Sequence, residues 1–118
     1  MTLPIYGDNK WLGIIADGLT PVDKTSFNTG SKNSVGSTAV QMSSVAYTLR
    51  VGVVVKASSV NAGRVYVGKD NTVTQNTNPS TDGFELSRGE SIFITVNNLN
   101  LIWLVASQAG QKVFWYAI

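Results

Sequence analysis

Seven carboxylates are available for acid–base chemistry in this 118-residue chain, which contains neither histidine nor cysteine. The usual general base and the commonest transition-metal ligands are therefore missing, and so are disulfides and thiol chemistry. The carboxylates are Asp8, Asp17, Asp23, Asp70, Asp82, Glu85 and Glu90. Glycoside hydrolysis needs two of them facing each other across a cleft. Glu85 and Glu90 flank one expected turn and are the pair closest to that requirement; the reading adopted is two solvated residues on a hairpin. Asp70 and Asp82 with backbone oxygens would make at most a weak calcium site, since no loop has the spaced acidic pattern of a strong one. Gly63, Gly68, Gly83, Gly89 and Gly110 are scattered turn residues, not a phosphate-binding loop followed by a helix. No cofactor, metal or catalytic role is expected.

The aromatic residues offer a different chemistry. Trp103, Phe114, Trp115 and Tyr116 sit at strand spacing near the end of the chain. Together they would make a sugar-stacking platform, or they are core and subunit interface; the second is adopted, with Ile118 added to the interface. Net charge is +2, and the nine Lys and Arg run from Lys10 to Lys112 without a cluster. That gives no electrostatic footprint for nucleic acid. Arg50, Lys56 and Arg64 read as a solubilising sheet face.

The elements that must position these residues are strands. Residues 83–118 contain four short apolar runs closed by turn signals: 84–86, 92–96, 101–106 and 113–118, a β-meander in outline. The last two runs are apolar on both alternating faces, whereas a strand with one wet face reads apolar-in, polar-out. Either both strands lie in the middle of a double-layered structure, or a second subunit buries one face. Upstream, 38–42, 46–56 and 64–68 are further strands. In the longest, Tyr47, Leu49, Val51, Val53 and Val55 form the core side. Residues 69–82 are a long polar connection. No stretch keeps a helical period, so the expected fold is all-β: an antiparallel, jelly-roll-like β-sandwich of about eight strands.

Residues 1–37 read differently. Two apolar patches, 3–6 and 11–15, precede a small, polar stretch at 25–37 that buries too little to order itself. Two readings stand: a terminus carrying an edge strand, or an extended arm whose Ile5, Tyr6, Trp11, Leu12 and Ile14 dock on a neighbour. The expected division is an extended arm or edge segment over 1–37 and a sandwich over 38–118. Charged residues are only 14% of the chain, below the usual quarter, so the surface leans on Ser, Thr, Asn and Gln as in many extracellular and virion proteins. No signal-peptide plan and no apolar run of membrane-spanning length are present, so a soluble protein made in a cytoplasm is expected.

Several of these features come together in one order. Residues 35–41 (VGSTAVQ) lead to a strand ending Val54-Val55-Lys56-Ala57. There follow 61–68 (NAGRVYVG), 83–86 (GFEL) with Gly89-Glu90-Ser91, then Asn98-Leu99-Asn100 and a closing 109–113 (AGQKV). Over residues 35–118 this order resembles that of small β-sandwich structural proteins of tailed bacteriophages, which decorate or cement the capsid or form head fibres. The resemblance implies a non-enzymatic protein of the virion surface, made in the host cytoplasm. Its partner would be the major capsid protein, and it would assemble as a homotrimer, without nucleic acid or membrane; the arm, outside the resembling residues, is the expected attachment on its own apolar residues. The competing expectation is a receptor- or carbohydrate-binding module of a fibre or baseplate, using Trp103, Trp115 and Tyr116 or the loop at 69–82. A hydrolase built on Glu85 and Glu90 is the third.

Overall fold

A computed structural model describes residues 26–77 and 82–118. Eight strands appear in chain order: β1 (Asn28–Val35), β2 (Val40–Gln41), β3 (Val53–Ala57), β4 (Val65–Gly68), β5 (Phe84–Leu86), β6 (Ser91–Ile94), β7 (Trp103–Ala106) and β8 (Gln111–Ala117). They form two four-stranded sheets, β1-β8-β3-β6 and β2-β7-β4-β5. The pairing is nested. First pairs with last, second with seventh, third with sixth and fourth with fifth, all antiparallel. One long ribbon is thus rolled up so that β8 also lies against β3 and β7 against β4. This is a jelly-roll β-sandwich.

The core lies between the sheets and follows the alternation of the strands. Val53, Val55 and Ala57 of β3 meet Val65 and Val67 of β4, Leu104 and Ala106 of β7, and Val113 and Ala117 of β8. Each fully buried Val or Leu contributes about 1.5–3 kcal/mol of burial energy. At one end, the loop after β3 is tied to the start of β8 by buried polar side chains. The Asn61 amide donates to the Lys112 carbonyl and accepts from its N–H, both at 2.9 Å, and Gln111 Oε1 accepts from the Gly63 N–H at 2.8 Å.

Three expectations change. Residues 28–35, placed above in the arm or edge segment and outside the sandwich, are β1, an edge strand in register with β8 from Asn28–Ala117 to Val35–Gln111. Its small polar side chains suit an edge with one wet face, and its order comes from backbone pairing, not from apolar side chains. A register shift between Lys32 and Val35, with Ser34 at φ 60°, turns Val35 into the core. The sandwich therefore begins ahead of residue 38.

The long strand expected over 46–56 is reduced to β3. Gly52 has φ 153°, and a Cβ there would collide with the Ile94 carbonyl, so the chain bends where it enters the sheet. Upstream of that bend Thr48 pairs with Asn98 in an isolated bridge, outside the strands named above. The run at 101–106 is likewise shortened. Leu99–Leu101 is a 3₁₀ turn, capped by the Asn98 side chain accepting from the Asn100 N–H, and β7 starts at Trp103.

Candidate functional site: an aromatic sheet face

β7 and β8 are both apolar on two faces, and the structure resolves them in different ways. Leu104 and Ala106 of β7 face the core. Trp103 and Val105 face outward, yet Val105 is buried with Tyr66 and Val73 in a second cluster. Its cover is the chain's own connection after β4. There the Asp70 carboxylate accepts from the Thr72 hydroxyl and the Thr72 N–H, and the Val73 N–H reaches the Asp70 carbonyl. Farther along, the Asn76 amide bonds the Gly83 backbone in both directions, at 2.6 and 2.9 Å.

Among the described residues β8 has no such cover. Val113, Trp115 and Ala117 turn inward, leaving Phe114 and Tyr116 on the outer surface of the β1-β8-β3-β6 sheet. Register places two rows side by side there. Thr29, Tyr116, Val54 and Phe93 form one, and Ser31, Phe114, Lys56 and Ser91 the other. Phe27, just ahead of β1, stacks on Tyr116 with ring centroids 4.9 Å apart and planes at 21°. The Lys112 ammonium sits 5.6 Å from the Phe114 ring centre. Phe27 is 56%, Phe93 50%, Phe114 42% and Tyr116 46% exposed, so four aromatic rings share one open face. Rings held on a sheet lose little side-chain freedom on contact with a partner, and aromatic residues dominate interface hot spots.

The expected interface set is thus divided. Phe114 and Tyr116 lie together on the open face. Trp115 packs against the core, its Nε1–H donating to Asn28 Oδ1 at 2.7 Å, with the ring over Gly30. Trp103 is on the outer side of the other sheet. Half-buried Ile118 closes the end of β8: its N–H donates to the Gly52 carbonyl and its own carbonyl accepts from the Val51 and Gly52 N–H groups. Trp103, Trp115 and Tyr116 occupy three different surfaces, so they form no common platform. Ile5, Tyr6, Trp11, Leu12 and Ile14 lie outside the described residues.

Phe27 and Phe93 were not singled out by sequence. Phe93 carried a signal, as an aromatic residue on the polar side of an alternating strand. Phe27 stood as a lone ring in a polar stretch, with nothing to tie it to Tyr116.

The acidic residues are engaged locally. Glu85 pairs with Arg64 at 3.0 Å, with both side chains well exposed, an arrangement worth little in stability. Glu90 Oε1 accepts from the Ser87 N–H at 2.7 Å and fastens the turn between β5 and β6. Thr72 holds the Asp70 carboxyl below its ordinary value, through the hydroxyl first and the N–H second, with Lys69 adding to the effect. Among the described residues no three His, Cys, Asp or Glu side chains gather where a metal ion could be held. No helix among them is long and apolar enough to cross a membrane. Comparison with protein-family models, curated proteins and solved structures finds no match to this chain.

Proposed function

We propose that the chain is a non-enzymatic structural protein of a bacteriophage virion, binding and stabilising the outer surface of the capsid. The observation that carries the reading is the open aromatic face of Phe27, Phe93, Phe114 and Tyr116. Exposed apolar clusters on otherwise polar surfaces mark sites of protein contact. Here the cluster sits on a sheet, while Asp70 and Glu90 are taken up by turns and Glu85 by an ion pair. The jelly roll itself serves viral capsid and lectin domains alike, so it favours neither reading by itself.

In this proposal the aromatic face is the main attachment to the major capsid protein, and copies assemble as a homotrimer on the shell. Ile5, Tyr6, Trp11, Leu12 and Ile14 of the N-terminal segment add a second contact. Receptor or carbohydrate binding is the alternative, but its three named aromatics are dispersed over separate surfaces.

The test is cosedimentation with capsids stripped of the protein. Phe93→Ser combined with Tyr116→Ser should keep the β-type circular dichroism and reduce capsid binding by about tenfold or more, as loss of central aromatic anchors does. Undiminished binding by the folded double variant would place attachment elsewhere. Saturable binding to cell-surface polysaccharide, lost in the same variant, would favour the alternative.

A further inference from the structure

At one end of the β2-β7-β4-β5 sheet, the loop after β3 and the turns after β5 and β7 enclose a pocket of about 360 Å³ with mostly polar walls. One residue beyond the paired Val65, Leu86 and Ala106, the chain presents Arg64, Ser87 and Ser107 side by side. Tyr66, Arg88 and Gln108 line the pocket with them. Backbone bonds fix this wall. The Arg64 N–H donates to Ser107 Oγ and the Ser107 N–H to the Arg64 carbonyl, both at 3.0 Å. A Cβ on Gly63 would collide with Ser107 Oγ, so the loop and the turn after β7 are closely apposed.

Two features of the pocket point to a ligand. The first is Tyr66. It is only 6% exposed, packed with Val73 and Val105, and it lines the pocket, yet its hydroxyl has no hydrogen-bond partner among the described residues. Buried polar groups are nearly always paired, so this hydroxyl marks a place where a partner arrives. The second is charge. The charged residues in the lining are Arg64 and Arg88, both basic and both exposed. Glu85, beside the pocket, meets Arg64 at Nε, and a guanidinium carries further N–H donors. The Arg88 guanidinium has no ion-pair or hydrogen-bond partner among the described residues, because Glu90 of the same turn is engaged by the Ser87 N–H.

We propose that this pocket binds one carboxylate-bearing sugar unit of an acidic polysaccharide. Its volume is that of a small-molecule site. The arginines take the carboxylate, for which the planar guanidinium is suited. The Tyr66 hydroxyl, the Ser107 hydroxyl (which accepts from Arg64 but keeps its own proton to donate) and the Gln108 amide take the ring and hydroxyl oxygens. An acidic peptide side chain would satisfy the arginines and leave those other groups unmatched, which favours the sugar. The aromatic face of Phe27, Phe93, Phe114 and Tyr116 belongs to the other sheet, so the inference does not rest on the capsid reading.

The test titrates the full chain with tri-galacturonate and follows the amide resonances. Those of Gly63, Arg64, Ser87 and Ser107 should shift saturably, and those of Val54 and Tyr116 should not move. The methyl ester of the same probe keeps the sugar and loses the charge, and it should bind at least about tenfold more weakly. Arg88→Gln should weaken binding about tenfold and Tyr66→Phe about threefold. Both variants should fold, since Arg88 is exposed and Tyr66→Phe removes only an unpaired hydroxyl. Absence of saturable shifts, equal binding of the ester, or undiminished binding by both variants would each overturn the proposal. Equally tight binding of tri-glutamate would overturn it too, because the pocket would then recognise a carboxylate and no sugar. These readouts involve no capsid, so failure here is distinct from failure of the capsid reading.

Discussion

Trp115 is held by two small residues on the neighbouring strand. Its indole N–H donates to Asn28 and its ring lies where a Cβ on Gly30 would be. The glycine is needed for that approach and not for a turn. Gly30→Ala should therefore displace the ring and cost about 1–3 kcal/mol, the usual penalty for overpacking. Asn28→Ala should cost about 1 kcal/mol through the lost hydrogen bond. Urea unfolding followed by tryptophan fluorescence measures both. Asp70 provides a pH test at the same scale. Its carboxyl is held below the ordinary value of 3.8 in the folded protein by the two Thr72 bonds. The stabilising contribution is complete above the unfolded value and is lost as pH falls through the lowered folded one. Amide exchange at Thr72 and Val73 should thus accelerate below about pH 4, beyond the intrinsic change, and Asp70→Asn should remove that pH dependence. An unchanged profile in the variant would mean that other groups control the turn.

Among the elements, alternation was legible wherever one face is wet. β3 could be read from Val53 and Val55, and β6 from Ile92 and Ile94, because each opposite face carries a polar residue, Lys56 in β3 and Ser91 in β6. β1 could not, since its polar side chains say nothing about the backbone bonds that make it a strand. β7 and β8 looked equivalent for a related reason: an apolar outer face does not reveal what covers it. In β7 the cover is Val73 and its loop, and in β8 the face stays open. The difference predicts opposite responses to polar substitution. Val105→Asp would bury an unpaired charge beneath that loop and should destabilise by several kcal/mol or prevent folding. Tyr116→Ser removes a half-exposed ring and should cost about 1 kcal/mol or less. Thermal melts of the two variants decide the matter. Comparable losses would show that the β8 face is covered in solution.

At the scale of the whole molecule, the jelly roll makes the two ends of the chain depend on each other. β1 and β8 are the outermost pair of the rolled ribbon, so β8 has a complete set of backbone partners only while β1 is present. The sequence pattern from residue 38 onward suggested a self-sufficient sandwich, a view that leaves out this pair. Removing residues 1–25 keeps every described strand, and the protein should still fold with the same β-type circular dichroism per residue. Removing residues 1–36 also deletes Val35, which is fully buried, and exposes the edge of β8, including the inner side of Trp115. An eight-residue strand lost from one sheet is a far larger defect, and this shorter chain should be aggregated or unfolded at 25 °C. Size-exclusion chromatography and circular dichroism of the two truncations make the comparison directly. If both fold equally well, β1 is dispensable and the sandwich begins near residue 38 after all. If neither folds, the first 25 residues are themselves needed for the core.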